Sequence, residues 1–293
     1  MFSHSIDEMI KRIALYQFSL LLMAIFFFVL LKFFYKIRHH RSLHHQKRIN
    51  DLLEVWLKNN IPLSPTLIAL CKQHIFECLR CLSHTQTTIP PKHLQQLSET
   101  ILQPKARQLS TSRYWIKQYL STRCYEYGVT LKDNPILIKL LQNKMFLTRL
   151  GAVRVIVAYP TRETINRLIQ TFSKERKLQQ SLVLEVLPTL RPVDQQKLSS
   201  YILYALMTTS HDYEKCFCYR MARRIQPSLQ ILPWLKKDIS SQNLELKLAA
   251  LYYLDCLPDE IKITRLTQML DDPQFEVRAV ASKLLGNTQD TSC

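Results

Sequence analysis

Cys71, His74, Cys78, Cys81 and His84 form the run C-x2-H-x3-C-x2-C-x2-H, whose thiols and imidazoles are the ligand types of a zinc site. Zinc sites usually draw ligands from separate elements. Here the five residues share one stretch with Leu67, Leu70 and Leu82 at helical spacing, and Cys78 and Cys81 fall on one helix face. Core thiols, with no metal and no other cofactor, are therefore expected. His39, His40, His44 and His45 form a second cluster. His40 and His44 lie one helical turn apart but have no further ligand residues beside them, so added charge at mildly acidic pH is their expected contribution. Cys216 and Cys218, two residues apart, point to different faces of a helix and are expected to be packing residues. The chain contains neither Gly-x-Ser-x-Gly nor His-Glu-x-x-His, and no catalytic residue is expected. Its three glycines, Gly128, Gly151 and Gly286, are scattered. Phosphate-cradling loops need clustered glycines, so P-loop and dinucleotide sites are excluded.

The elements that would carry these residues begin with an apolar run. From Ile13 to Leu31 the sequence IALYQFSLLLMAIFFFVLL holds no charge, and Lys32 follows. About 20 such residues cross the hydrocarbon core as a helix. Tyr16 and Tyr35 sit where interfacial aromatics belong. A cleaved signal peptide fits less well, because the run is long and no small-x-small site follows it. Lys11 and Arg12 precede the run, whereas Lys36, Arg38, Arg41, Lys47 and Arg48 follow it. The basic excess places the N-terminus outside and residues 36–293 in the cytoplasm. These five basic residues are also the expected membrane-surface contacts, each contributing about 1 kcal/mol against anionic lipid. The whole chain carries 40 basic and 23 acidic residues, a net charge of +17, which favours an anionic partner. Eight cysteines lie mostly among apolar neighbours and read as reduced thiols.

At 47% apolar residues the remainder must bury a core. The expected organisation is a tail over 1–12, a transmembrane helix over 13–35 and a basic juxtamembrane segment over 36–48. A helical region over 49–130, a periodic region over 131–288 and a tail over 289–293 follow. Within 49–130, helices are expected over 49–58, 67–82, 93–102 and 111–127, with Ser83–Pro91 as a linker. Beyond 131 the pattern repeats. LELKLAALYYLDCL, from Leu244, overlays FEVRAVASKLLG, from Phe275, and FLTRLGAVRVI, from Phe146, has the same shape. A period of about 30 residues with two helices per unit describes an α-solenoid. In the last unit Asp271 or Asp272 caps a helix, Phe275, Val277, Val280, Ala281, Leu284 and Leu285 form its apolar stripe, and Gly286 ends it. Arg149, Lys247 and Arg278 occupy one repeat position and are expected to bond a neighbouring repeat's carboxylate or carbonyls.

Residues 266–287 resemble a HEAT repeat of the short bacterial type, L-x-x-L-x-D-x-x-x-x-V-R-x-x-A-x-x-x-L-G. Leu266, Met269, Asp271 or Asp272, Val277, Arg278, Ala281, Leu285 and Gly286 fill that signature. The resemblance spans about 140–288 and is closest in this last unit. It implies an all-α fold, a superhelix of antiparallel helix pairs with a ligand-binding concave face, and a bacterial inner membrane for the anchor. It implies no single activity. The expected function is a membrane-anchored interaction scaffold, or an accessory subunit of a secretion, transport or glycosyltransferase complex, with a protein partner. The rival is a basic solenoid that binds nucleic acid or another polyanion. An enzyme built on the Cys/His cluster ranks below both.

Overall fold

A computed structural model describes residues 2–59, 62–85, 89–189, 192–225 and 227–289, with side chains from Tyr16 onward except at 189, 192–194, 288 and 289. The tail from 290 and the middle of the Ser83–Pro91 linker lie outside the described residues. Among those residues every regular element is a helix and no strand occurs. The chain divides into two compact units, Met1–His93 and Leu94–Cys293.

The first unit is built on α1 (Phe2–Asn59), a single helix of 58 residues. It contains no proline or glycine, so nothing interrupts its hydrogen-bond ladder. The apolar run, the basic segment and the expected helix after Ile49 are thus one element. Of the described helices, α1 alone is long and apolar enough to cross a membrane, and no part of its most apolar window is buried by the fold. Phe26, Phe27 and Phe28 are 65%, 64% and 68% exposed. Beyond the basic segment Ile49, Leu53 and Trp56 are buried. They pack where α1 meets α2 (Pro65–Gln73) and α3 (Ile75–Thr85). Ser64 starts α2 by accepting from the Leu67 amide at 3.2 Å, with Pro65 in the first turn.

The expected single helix over Leu67–Leu82 is instead two. His74, at φ −114° and ψ 56°, bends the chain between α2 and α3. The bend turns the apolar residues of both segments, Leu67 and Cys71 on α2 and Ile75, Cys78, Leu79 and Leu82 on α3, into the core with α1.

The second unit opens within α4 (Pro91–Leu97), at Leu94, and the helical run continues through a π turn at Ser98–Leu102 and α5 (Gln103–Ser110). The sequence expectation ended this helix at Leu102. Pro104 has no amide hydrogen for the Thr100 carbonyl, and the ladder shifts register instead of stopping, with the Gln103 amide reaching Ser98. There follow α6 (Trp115–Tyr125), α7 (Asn134–Leu141), α8 (Phe146–Ala158), α9 (Arg162–Phe172) and α10 (Lys177–Leu184). The unit finishes with α11 (Pro192–Thr208), α12 (Asp212–Arg224), α13 (Leu232–Ile239), α14 (Leu244–Leu254), α15 (Asp259–Met269) and α16 (Phe275–Gln289).

Contacts give this repeat-like bundle its order. Helices α6, α8, α10, α12, α14 and α16 each touch the next in that row, and α5, α7, α9 and α11 form a second row. The core lies between the rows, with Val153, Ile156, Ile165, Phe172, Phe217, Tyr219, Leu246, Leu254 and Leu266 buried. Close approach of α6 and α8 depends on Gly151. A Cβ there would collide with the side chain of Thr122. Gly151→Val is expected to destabilise the unit by about 1–3 kcal/mol. Adding Thr122→Ala should recover part of that loss in a thermal melt. A Gly151→Val chain as stable as the parent would show that the two helices are not held at this separation.

Candidate functional site

The Cys/His run does not converge on a point. Cys71 lies on α2 and Cys78 and Cys81 on α3, all buried. His84 is exposed in the last turn of α3. The Cys81 thiol donates to the Gln46 carbonyl at 3.5 Å, and burial pushes its pKa up to about 11. His74, at the bend, leaves the cysteines and stacks on His45 of α1 with ring centroids 3.8 Å apart. Among the described residues no three His, Cys, Asp or Glu side chains are placed to hold a metal. Cys216 and Cys218 are both buried, because α12 has α9, α10, α11 and α14 around it and both faces are covered. Burial raises both thiols, Cys216 to about 11. Thiols held protonated in this way are poor nucleophiles at neutral pH.

Four basic residues of the second unit are tied to acids on the following segments. Arg107 bonds Asp133 through Nε at 2.7 Å and Nη2 at 3.2 Å. Arg149 bonds Glu175. Lys215 reaches Asp238 at 3.1 Å, and Lys247 reaches Asp272 at 2.8 Å. The four pairs are 26, 26, 23 and 25 residues apart in sequence. Arg278 instead donates to the Asp272 and Pro273 carbonyls at 2.9 and 3.0 Å. Arg149 and Lys247 thus bond a carboxylate of the following unit, as expected of their shared position, whereas Arg278 bonds carbonyls of its own unit. Asp133 is fully buried. Burial alone would raise its carboxyl, but bonds from Arg107 and Thr130 outweigh that and hold it below the usual carboxylate range. Tyr125 also donates to it at 3.1 Å, and Tyr219 donates to Asp238 at 2.8 Å. These carboxylates are committed to internal bonds, which makes them struts between successive helices.

The last unit departs from its expected signature at four residues. Asp272, not Asp271, holds the turn before α16, accepting from the Gln274 amide at 2.9 Å, while Asp271 is exposed. Val277 and Ala281 are buried. Leu284 rather than Leu285 is the buried leucine of the pair, and Phe275, expected in the stripe, is 68% exposed. Gly286 does not end the helix. It has open space around it, and α16 runs on to Gln289. A glycine ends a helix only by adopting a left-handed backbone, and Gly286 does not adopt one.

A groove of about 910 Å³ in the first unit brings together three exposed arginines, Arg38, Arg41 and Arg80. Helix α1 supplies Phe34, Tyr35, Arg38, Arg41, Ser42 and His45. The opposite wall is His74, Phe76, Glu77 and Arg80. Glu77 accepts from the Ser42 hydroxyl at 3.0 Å. Burial, and then the neighbouring His74, lower the pKa of His45, so its ring is neutral at neutral pH. Of the basic residues expected at the membrane surface, Arg38 and Arg41 line the groove. Lys36, Lys47 and Arg48 are exposed elsewhere on α1. Sequence reading missed Glu77 and Arg80, which stand on a different helix from the basic segment they face. The exposed Phe76 beside them was the available signal.

A smaller groove of about 300 Å³ in the second unit lies among α10, α12 and α14. Lys177, Arg220, Arg223 and Tyr252 line it, and the Arg223 guanidinium sits 5.4 Å from the Tyr252 ring centre.

No family model matches the sequence, and no curated protein matches it. Among solved structures, the crystal structure of an engineered protein is similar at 15% identity. The match covers 82% of this chain and 68% of that one, with a TM-score of 0.33.

Proposed function

We propose that this chain is a membrane-anchored interaction scaffold, or the accessory subunit of a membrane complex. In this reading α1 spans the membrane with its N-terminus outside, and the second unit is a HEAT-like solenoid that offers its surface to a protein partner in the cytoplasm. The observation that carries the proposal is α1 itself. Its apolar stretch is left wholly uncovered, yet the same unbroken helix continues into a packed helical unit. A helix that only served a core would bury that stretch. The basic flank after it favours the stated orientation. Four carboxylates, Asp133, Glu175, Asp238 and Asp272, are held in ion pairs between successive segments, and burial keeps Cys81, Cys216 and Cys218 protonated. This supports a binding role over catalysis by these groups. The groove among α10, α12 and α14 holds the Arg220 and Arg223 guanidiniums and Tyr252 beside one carboxylate, Glu245. With Arg220 also bonded to Gln180 and Arg223 to Asp255, it suits an aromatic side chain of a partner.

The test is affinity purification of the full-length protein from its native membrane in mild detergent, beside a chain lacking residues 1–48. A stoichiometric protein partner that is lost on Arg220→Glu with Arg223→Glu is the expected result. Recovery of nucleic acid alone, with steeply salt-dependent binding, would replace this reading with the polyanion one.

A further inference from the structure

We propose that the groove between α1 and α3 holds the headgroup of an anionic phospholipid, with Arg38 on one wall and Arg80 on the other taking the phosphate. The inference rests on the anchor reading above. It goes beyond a diffuse basic segment because it names a built site that includes a residue far from that segment in sequence.

Four observations converge. Phe34, Arg38, Arg41, Ser42 and His45 recur at helical spacing and present one face of α1 to the groove. Among the described residues the guanidiniums of Arg38, Arg41 and Arg80 make no ion pair and no hydrogen bond. The single carboxylate of the lining, Glu77, is bonded to Ser42. Three planar donors without an acceptor match the oxygens of a phosphate. Depth is the third point. At a rise of 1.5 Å per residue, Arg38 and Arg41 lie about 5 and 9 Å beyond Tyr35 along α1. The headgroup layer is about 5–8 Å deep on each side of the hydrocarbon, so Arg38 stands at phosphate level and Arg41 at the outer edge of the layer. Finally, Phe34, Tyr35 and Phe76 at the groove are 61%, 72% and 57% exposed. Exposed aromatics suit the interface of a bilayer, whereas a free phosphate ion has no use for them. A volume of about 910 Å³ is also far larger than such an ion fills.

In the test, full-length protein in a neutral detergent is titrated with phosphatidylglycerol or phosphatidylcholine, and bound lipid is counted by native mass spectrometry. Detergent removes the anionic surface, so only a built site retains lipid selectively. Phosphatidylglycerol is expected to be preferred, and Arg38→Gln with Arg80→Gln to weaken its retention about tenfold or more. Lys36→Gln with Lys47→Gln removes the same charge from the opposite face of α1 and is expected to change retention about twofold or less. Equal losses in the two pairs, or no preference between the lipids, would overturn the groove as a site. Displacement by inorganic phosphate at the same concentration would overturn the assignment to a lipid. Alkaline extraction of the unaltered protein from membranes separates the two failures. A chain released by alkali loses the anchor and the groove together. One that stays in the membrane without lipid preference loses only the groove.

Discussion

Asp272→Ala is expected to destabilise the second unit by about 3–5 kcal/mol, the cost of leaving a buried charge without its partner. Lys247 and Asp272 are each only 8% exposed at the side chain, and the ammonium lies 2.8 Å from the carboxylate. Removing the carboxylate strands that ammonium in the core and frees the Gln274 amide at the start of α16. An exposed pair of the same length contributes about 0–1 kcal/mol, so burial sets the size of the effect. A second variant separates the pair from its surroundings. Lys247→Met with Asp272→Leu replaces both charges by apolar groups of similar size and is expected to return most of the lost stability. Thermal melts of full-length protein in detergent, arranged as a double-mutant cycle, give the coupling directly. A coupling below about 0.5 kcal/mol would show that the pair is solvated and not a strut. The acid limb has a definite sign. Burial would raise Asp272, but the bond from Lys247 and the Gln274 amide hold it below the usual carboxylate value. The ionised form therefore stabilises the fold at neutral pH, and that contribution is lost as pH falls below the ordinary carboxylate range through the depressed value. The Asp272→Ala chain should lack that part of the acid sensitivity.

The same pair shows what could be read beforehand. Lys247 was identifiable because its position recurs at Arg149 and Arg278 within similar apolar frames. Its acceptor was harder to see. Asp271 and Asp272 are adjacent, and which one faces the lysine depends on the turn between α15 and α16, where a shift of one residue reverses the answer. Arg107 and Asp133 form the same kind of bond, yet they lie where the apolar periodicity is weak and no frame identified them. The long α1 was legible only in its parts: the sequence reading divided it at 35 and 48, although no proline or glycine interrupts it. The bend at His74 was not, since no helix-breaking residue stands there. It arises from two short apolar faces that must both meet α1. Pro104 was visible, but a missing amide can end a helix or widen it into a π turn, and tertiary packing chose the second. The groove was the least legible feature. Ser42 and Glu77, whose hydrogen bond joins its walls, are 35 residues apart, and no local pattern encodes that encounter.

Deleting residues 1–35 is expected to convert the protein from one that resists both alkali and high salt into one that salt releases from membranes. Burying a Leu or Phe side chain contributes about 1.5–3 kcal/mol, so the uncovered side chains from Phe18 to Leu31 together supply on the order of 20 kcal/mol in a bilayer. No surface charge approaches that. The truncated chain keeps Lys36, Arg38, Arg41, Lys47, Arg48 and Arg80, at about 1 kcal/mol each near an anionic surface. That attraction is enough for loose attachment at physiological salt, but 1 M salt shortens the screening length to about 3 Å and removes it. Its fold should persist, because Ile49, Leu53 and Trp56, which pack in the core with α2 and α3, lie beyond the deletion. A point change in the span separates insertion from surface adhesion. Phe27→Arg costs about 2.5–3.5 kcal/mol at the centre of a span, far less than the total holding it. That variant should therefore remain in the pellet after alkaline extraction. If the full-length protein is itself extracted by alkali, α1 lies on the membrane or against another protein. The uncovered phenylalanines at its centre would then have to be buried by a partner instead of by lipid.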